Sequence, residues 1–269
     1  MTCVLLFHVG DTDIALDMLP TLRAVVDRHA FCGIIVNFAK DRCTAAGAQD
    51  VISALAAVTT PLIQLNTPNR GRDMGGYMRM CQALLDTDWQ PAHLLFVHTK
   101  TEPTWRNSML EIVCNRSQEC IHHLDTNPAT LAVGERVDKF DQRNLIFIIG
   151  ACRLLGWIPP VDISSATLQR FKFSNHTEAL TKRYARQHGT RDFDFISGSM
   201  YWIKGPAWLD MYRTHRNTFQ VIEGAMQMGN IFEDWKRVCT AHAMERMFGY
   251  AAIILGMVVQ ALPQTSISQ

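Results

Sequence analysis

Two short stretches of the sequence combine cations with groups that bind anions. Five consecutive residues form the first stretch: Asn69, Arg70, Gly71, Arg72 and Asp73. The second stretch is His98-Thr99-Lys100, and Arg106 follows it closely. Arg and Lys side chains, together with the backbone N–H groups of a glycine-containing turn, suit a phosphate or a diphosphate. We therefore expect an anionic, nucleotide-linked substrate to bind these residues.

Each of the two stretches follows a predicted strand of an α/β sheet. Short apolar runs and helical stripes predict strands at 3–9, 31–38, 61–65 and 93–97, and helices at 13–29, 45–58 and 74–86. Strands that alternate with helices of this length imply crossover connections and a mainly parallel sheet. The cationic stretches then lie at the carboxyl ends of two consecutive strands, where open α/β sheets bind their ligands.

The second half of the chain has a looser pattern. It predicts a helix at 105–122, a strand at 129–133, an apolar stretch at 144–157, a polar insertion with a helix at 162–192, a strand at 193–203, and helices from Gly205, at 219–228 and at 234–257. No internal repeat or linker separates the two halves, so we expect a single domain over 1–269. The predicted fold class is α/β, a mainly parallel twisted sheet flanked by helices.

The composition argues against several classes of protein. Of the 269 residues, 48% are hydrophobic and 19% are charged, so the chain can bury a substantial core. The formal net charge of +1 gives no overall attraction to nucleic acid or to an anionic membrane. The eight cysteines contain no CxxC pair, which indicates reduced thiols in a cytoplasmic protein and neither a disulfide framework nor a zinc site.

The two apolar ends of the chain are interpreted as parts of the core. The run at 250–262 is shorter than the roughly 20 apolar residues that span a bilayer, so we expect a buried helix and no transmembrane segment. Peripheral contact with a membrane stays open as an alternative. The run at 3–9 lacks a basic flank and a cleavage site, which favours a strand over a signal peptide.

Five motifs in order along the chain carry a resemblance to a known family. They are His8, the stretch 69–73, His98-Thr99-Lys100 with Trp105-Arg106, Gly198-Ser199-Met200-Tyr201-Trp202, and His242-Ala243-Met244-Glu245-Arg246. On these motifs the chain resembles the rhamnan synthesis protein F family, glycosyltransferase-like proteins of cell-surface polysaccharide assembly. The resemblance implies a GT-A-like, Rossmann-like fold in which 1–125 binds a nucleotide and 126–269 forms a helical acceptor side. The chain departs from the family at Val9-Gly10-Asp11, where members tend to carry aromatic residues.

The resemblance implies transfer of a sugar from a nucleotide-sugar donor to a glycan acceptor, in the synthesis of surface polysaccharide or glycoprotein glycans. The sugar could be a deoxyhexose such as rhamnose or another UDP- or dTDP-linked sugar, and an inverting reaction is favoured. The implied donor-binding residues are His8, Asn69, Arg70, Gly71, Arg72, Asp73, His98, Lys100 and Arg106. The implied acceptor- or sugar-binding residues are Gly198, Ser199, Trp202 and Arg246, and Trp202 would offer a stacking face to a sugar ring.

Acidic residues around the last predicted helix are the catalytic candidates. An inverting transferase needs a carboxylate that takes the proton of the acceptor hydroxyl. Asp234 is the first choice, ahead of Glu233, because GT-A enzymes often carry the base at this position. Glu245 competes for the role, since its helical neighbour His242 could tune it. A capped, salt-bridged helix would explain the same residues without catalysis.

The resemblance leaves the metal requirement open. GT-A enzymes usually hold a divalent metal with an Asp-x-Asp motif, and this chain has His98-Thr99-Lys100 in that place. Lys100 and His98 could supply part of the metal's charge, so we expect a weaker dependence on metal. Bound Mn²⁺ or Mg²⁺ with His98 as a ligand is the other option.

Simpler structural roles compete with the functional ones. Asp73 precedes a predicted helix, where Asp commonly acts as the N-cap. Gly75 and Gly76 each cost a helix on the order of 1 kcal/mol against Ala, which makes sense if something approaches the backbone closely. Trp105 is expected to anchor the core, and Gly198 could mark a bulge in a strand.

Two other functions stay open. The chain could be a catalytically inactive subunit that binds a nucleotide or a glycan within a polysaccharide assembly complex. It could also be a generic nucleotide fold that hosts another transferase or a hydrolase. Against the second, the sequence has no GxGxxG after the first predicted strand, no GxxxxGK[ST] and no GxSxG.

Overall fold

The computed structural model describes residues 2–56, 60–68, 72–139, 148, 152, 155–156, 193–228 and 240–262. Within these ranges a central sheet has the strand order β3-β2-β1-β4-β8-β5-β9. Its strands are β1 (Cys3–Val9), β2 (Phe31–Ala39), β3 (Leu62–Thr67), β4 (His93–His98), β5 (Thr130–Gly134), β8 (Tyr201–Lys204) and β9 (Val258–Ala261). Two short strands, β6 (Val137–Lys139) and β7 (Asp194–Ile196), pair with each other in a separate sheet.

The sheet is mostly parallel, as expected. β1 pairs in parallel with β2 and β4, β2 with β3, and β5 with β9. β8 is the exception, because it runs antiparallel to both β4 and β5 and joins the two parallel groups. The α/β class with a mainly parallel central sheet is therefore confirmed.

Helices cover both faces of the sheet. They are α1 (Thr12–Arg28), α2 (Ala45–Ala56), α3 (Arg72–Leu85), α4 (Pro103–Leu110), a π-helical turn (Glu111–Asn115), α5 (Ser117–Thr126), α6 (Gly205–Thr214), α7 (Arg216–Met228) and α8 (Thr240–Ile254). One core cluster joins the sheet to α1, α2, α4, the π-turn and α5. The other joins it to α3, α6, α7 and α8. We call these two faces the α1 face and the α3 face.

Alternation along the central strands decides which side chains reach each face. In β1, Val4 and Leu6 pack on the α3 face, whereas Leu5 and Phe7 pack on the α1 face. Because side chains alternate with period two, His8 lies on the α3 face. Its register partners, Asn37 in β2 and His98 in β4, stand beside it on the same face.

The predicted helix at 105–122 is interrupted by the π-turn, and the interruption has a packing reason. Carbonyl oxygens of the turn accept side-chain hydrogen bonds from two other elements. The indole Nε1 of Trp202 donates to Val113 O over 2.7 Å, and Arg28 Nη1 donates to Cys114 O over 3.1 Å. A π-turn breaks the regular helical pairing of such carbonyls, and this allows distant side chains to bind there.

The predicted strand at 193–203 is wrong as a single element. Residues 194–196 form β7 and residues 201–204 form β8, and the two strands belong to different sheets. A turn with two successive positive φ angles separates them, 88° at Gly198 and 57° at Ser199. Glycine adopts this conformation freely, but for Ser199 it is a strained one that costs about 1–2 kcal/mol.

The predicted buried helix at 250–262 is also corrected. α8 ends at Ile254, where Gly256 follows with a φ of 66°, a common way to end a helix. Val258–Ala261 then forms β9 at the edge of the sheet. Among the described residues, no helix is both long and apolar enough to cross a membrane. The predicted insertion at 162–192 and most of the stretch at 144–157 lie outside the described residues.

Candidate functional site

A cluster of polar side chains lies on the α3 face at the carboxyl ends of β1 and β4. From β1 the chain continues to β2 and β3 on one side, whereas β4 lies on the other side. The strand order therefore reverses between β1 and β4, and this is the place where open α/β sheets form a binding crevice. His8 and His98 are the last polar residues of these two strands and are paired in register.

His8 belongs to a hydrogen-bonded row that crosses three strands. Asn37 Nδ2 donates to His8 Nδ1 over 3.0 Å. Asn37 is itself fixed by Thr67, whose hydroxyl lies 2.9 Å from Asn37 Nδ2 and 3.1 Å from Asn37 Oδ1. Burial lowers the pKa of His8 to about 4, although the nearby carboxylate of Asp73 acts in the opposite direction. His8 is therefore neutral at physiological pH.

Gly76 in α3 provides the space for the ring of His8. A Cβ atom at Gly76 would lie 2.2 Å from His8 Nδ1. A side chain at this position would collide with the imidazole, so the glycine is needed for packing inside the protein. The close approach expected at this helix is thus made, at Gly76, by a side chain of the protein itself.

His98 is hydrogen-bonded through both of its ring nitrogens. Nε2 lies 2.7 Å from Gly198 O, and Nδ1 lies 3.0 Å from Thr99 O. A carbonyl oxygen only accepts hydrogen bonds, so each of these two contacts needs a hydrogen on the ring nitrogen that makes it. Its Nε2 is also 3.7 Å from Asp73 Oδ2, close enough for an ion pair.

A metal ion at His98 would compete with contacts that the ring already makes. Both ring nitrogens lie at hydrogen-bonding distance from backbone carbonyl oxygens, so a metal ion would have to displace one of these contacts. In the described part of the chain, no group of three or more His, Cys, Asp or Glu side chains could hold a metal. We therefore assign no metal ligand and derive no step through a metal.

Two carboxylates meet in this cluster from different helices. Asp73 lies in the first turn of α3, and Glu245 projects from α8, which packs against α3. Glu245 Oε1 accepts a hydrogen bond from Gly198 N over 2.9 Å, and Arg246 Nη1 lies 3.2 Å from Glu245 Oε2. α3 begins at Arg72, so Asp73 lies in the first turn of the helix and is not its N-cap. A negative charge is favourable in the first turn of a helix.

The pKa values of these two carboxyl groups are shifted in opposite directions. Burial would raise the pKa of Asp73, but His98, the hydroxyl of Ser199, His8 and Lys100 together lower it below its usual value. Burial raises the pKa of Glu245, and the charge of Asp73 raises it further, against the effect of Arg246. One carboxylate thus stays ionised while the other takes up a proton more readily, a pattern typical of acid–base sites.

The strained turn at 198–199 is held by three elements around the cluster. His98 donates to Gly198 O, Gly198 N donates to Glu245, and the hydroxyl of Tyr77 in α3 donates to Ser199 O over 2.5 Å. Gly198 and Ser199 therefore lie beside the polar cluster. Strained residues that the surroundings hold in place are common at functional sites.

Sequence reasoning missed three members of the cluster: Asn37, Thr67 and Tyr77. Each left a weak signal in the sequence. Asn37 is a polar residue inside the apolar run of β2, and Thr67 ends β3 at the same edge of the sheet. Tyr77 comes four residues after Asp73, which places both on one face of a helix.

Lys100, Trp105 and Arg106 form a second group next to the cluster. Lys100 Nζ lies 3.5 Å from the centre of the Trp105 ring, and Arg106 Nη1 donates to Lys100 O over 3.1 Å. Arg106 thus fixes the backbone of Lys100 in this structure. Trp105 is partly buried and lies close to Gly198, where an added Cβ would be 3.0 Å from its ring.

The expectation that Trp202 stacks on a sugar is wrong. Its side chain is 0% exposed and lies on the α1 face, where it contacts His29 and Phe31 and donates to Val113 O. Its neighbours in β8, Tyr201 and Ile203, are the residues that face α3. A shift of one residue along a strand moves a side chain to the opposite face, so the motif alone could not decide this.

Several predicted site residues cannot be placed from the described part of the chain. Asn69, Arg70, Gly71, Glu233 and Asp234 lie outside the described residues, as do the side chains of Arg72 and His242. Arg246 is described: it is 8% exposed and its guanidinium lies 4.7 Å from the centre of the Phe195 ring. It braces Glu245 from inside the protein.

Comparison with known proteins gives no relative from which a function could be transferred, so the site is interpreted from its own chemistry. No protein-family model matches the chain, and no curated protein matches it either. The resemblance to the rhamnan synthesis protein F family therefore rests on the quoted motifs, and it stays an expectation.

Proposed function

We propose that the protein is a glycosyltransferase that uses a nucleotide-sugar donor and a glycan acceptor. The observation that carries the proposal is the meeting of Asp73 and Glu245, with opposite pKa shifts, in the crevice between β1 and β4. His98 lies in the same place, with its Nε2 3.7 Å from Asp73 Oδ2. The GT-A-like form of the α/β fold, suggested by the resemblance, is part of this proposal.

The donor's diphosphate would bind at the cationic side of the crevice. His98 and Lys100 follow the end of β4, and the first turn of α3 offers backbone N–H groups of its own. Arg70 and Arg72 immediately precede or begin that helix, and we propose that they reach the same diphosphate. Positive charge fixed in advance lowers the energy of a departing diphosphate in the transition state.

The acceptor side needs a group that removes one proton. In the proposed inverting step, the acceptor hydroxyl oxygen bonds to the anomeric carbon while the bond from that carbon to the diphosphate breaks. The hydroxyl proton passes to a carboxylate. We assign this role to Glu245, because its raised pKa makes it a better base than an ordinary surface carboxylate. Asp234 and Glu233 are its competitors.

Replacement of single carboxylates tests the proposal. Glu245→Gln should lower the rate of sugar transfer by about 10²–10⁴-fold while donor binding changes little. Glu223→Gln is a matched control, because Glu223 is also buried on the α3 face and pairs with Arg79, 3.8 Å away, outside the site. Asp234→Asn and Glu233→Gln complete the series. Near-normal transfer by Glu245→Gln together with loss in Asp234→Asn would move the base to Asp234.

One observation favours a second candidate, a nucleotide- or glycan-binding subunit without catalysis. Both carboxylate oxygens of Glu245 already have partners within the protein, Gly198 and Arg246. A carboxylate used in this way could serve only to brace the turn at 198–199. Purified wild-type protein that binds a UDP- or dTDP-sugar, but neither transfers nor hydrolyses it, would support this second candidate.

A further inference from the structure

The strand β9 is the last strand of the central sheet, and one of its two sides faces away from the other strands. Val258 N and Leu262 N donate to carbonyl oxygens on the β5 side over 2.8 Å and 3.1 Å. Because backbone groups alternate along a strand, the N–H and C=O groups of Val259 and Ala261 point to the opposite side. In the described part of the chain, no second strand pairs with that side. Such a row of backbone groups is a template for another strand.

The edge at β9 lacks the features that usually protect an edge strand from pairing. Charged side chains and proline within the strand are the common ones. All four residues of β9 are uncharged, and no charged residue follows Arg246 in the sequence. At the opposite edge of the sheet, β3 places the polar side chains of Gln64 and Asn66 at its exposed positions, and Pro61 precedes it. The two edges of the sheet therefore differ in how they are protected.

Apolar side chains surround the edge at β9. Ile253 is 36% exposed, Ile254 37% and Val258 47%, and these are three of the four large hydrophobic residues exposed in the described part of the chain. A cavity of about 310 Å³ lies between α8, β7 and β9, and Ile253, Met257 and Val258 contribute to its lining, as does Asp194. Exposed apolar residues that gather in one place mark an interaction site.

The chemistry of this edge indicates what covers it. A lipid surface would accept the apolar side chains, but it would leave the outward N–H and C=O groups of β9 without hydrogen-bond partners. A charged peptide would find no complementary charge on β9. A second copy of this chain meets both requirements, since it brings a strand with the same outward groups and an equally uncharged apolar surface.

We propose that two copies of the protein associate through β9 and form one continuous sheet. A twofold axis perpendicular to the sheet makes the two β9 strands antiparallel. The outward groups of Val259 in one copy then face those of Ala261 in the other, and each such pair exchanges two N–H···O bonds. The interface lies away from the crevice between β1 and β4, so the proposal does not depend on the proposed function.

Sedimentation velocity of the full chain over a range of concentrations tests the proposal. Val258→Lys places a cation at the edge, where natural edge strands often carry one that prevents pairing. Val221→Lys is the matched control, because Val221 is 60% exposed and lies on α7, not at the edge. The wild type and Val221→Lys should form dimers. Val258→Lys should raise the dissociation constant of the dimer by about tenfold or more, because it replaces an apolar contact with an unpaired charge.

Hydrogen exchange then identifies the strand that forms the contact. In the wild-type dimer, the amides of Val259 and Ala261 should exchange slowly, because the other copy accepts their hydrogen bonds. Dilution to the monomer should make both amides exchange fast, and Val258→Lys should do the same at high concentration. The dilution series needs no variant, and thermal melts show whether each variant is folded.

Three results would overturn the proposal. Wild-type protein that sediments as a single chain at every concentration would show that no dimer forms. Equal dissociation constants for Val258→Lys and Val221→Lys would place the contact elsewhere on the surface. Fast exchange of Val259 and Ala261 in a dimer would show that the copies do not pair through β9.

Discussion

β4 begins and ends with a buried histidine, and the two ends of this one strand differ in chemistry. At the amino end, His93 Nε2 lies 3.0 Å from Asp125 Oδ1. At the carboxyl end, His98 Nε2 lies 3.7 Å from Asp73 Oδ2. Both are histidine–aspartate pairs in the interior of the same sheet, so the pair itself does not identify a site.

The differences lie in what surrounds each pair. Burial lowers the pKa of His93, so this ring is neutral, and in the described part of the chain its Nδ1 has no hydrogen-bond partner. Both ring nitrogens of His98 instead lie at hydrogen-bonding distance from backbone carbonyl oxygens, those of Thr99 and Gly198. Only the carboxyl end adds a second carboxylate, Glu245, and a strained turn at Gly198. At the amino end, the pair of His93 and Asp125 stabilises the fold. At the carboxyl end, the charged groups are placed where a ligand would bind.

Asp73→Asn should give the largest effect and should act on function. The change keeps the size of the side chain but removes the negative charge beside His98. We expect sugar transfer to fall by about a hundredfold or more, with a change in melting temperature of only a few degrees. Steady-state kinetics and a thermal melt measure both. Full activity of the variant would show that Asp73 takes no part in sugar transfer.

Acidification should destabilise the fold through the two buried histidines His8 and His93. Burial lowers the pKa of His8 to about 4, and the pKa of His93 is lowered as well, so the unfolded chain binds more protons between these values and about 6.5. Stability should therefore fall as the pH falls through this window. Each histidine should contribute about 1.4 kcal/mol to the loss for every pH unit by which its folded and unfolded pKa values differ. Denaturant titrations at pH 7.5 and pH 5 measure the loss.

His8→Asn isolates the share of His8 in that acid sensitivity. Glu245 has the opposite effect on stability at low pH, because its raised pKa makes the folded state bind protons more readily. The variant should lose less stability than the wild type between the two pH values. An equal loss in both proteins would mean that His8 is not held neutral by the fold.

Asp125→Asn is the counterpart of Asp73→Asn at the amino end. It weakens a partly exposed pair that only supports the strand, since Asn still accepts a hydrogen bond from His93. We expect a loss of about 1 kcal/mol in the free energy of unfolding and unchanged kinetics. If Asp125→Asn lowered the transfer rate as much as Asp73→Asn, the two ends of β4 would not differ in their importance for function.

Removal of divalent metal should have the smallest effect. Both ring nitrogens of His98 already contact backbone carbonyl oxygens, so a metal ion would have to displace one of these contacts. We expect EDTA to lower the transfer rate less than tenfold, as judged by assays with and without the chelator. Complete loss that Mn²⁺ restores would show that the site recruits metal through other oxygen ligands.

The parallel half of the sheet could be predicted from sequence because its signals are local. Apolar runs and helical stripes predicted β1 to β4 to within a few residues of their bounds. The other half depends on contacts between distant residues. Nothing local shows that 201–204 runs antiparallel beside β4, or that 258–261 leaves the helix to form an edge strand.

The site shows the same limit. His8, Asp73, His98 and Glu245 were found from motifs, and the structure brings them together. The motifs did not show which face Trp202 occupies, since one residue of register reverses it. The motifs also could not show that Gly76 leaves room for the ring of His8, because that contact joins a helix to a strand far away in sequence.

A structure of the protein with UDP bound tests the central claim most directly. The account predicts the diphosphate at the carboxyl end of β1 and β4, within hydrogen-bonding distance of at least one of four side chains: Arg70, Arg72, His98 and Lys100. Density for the diphosphate beyond the reach of all four, for example beside His93 at the amino end of β4, would contradict it.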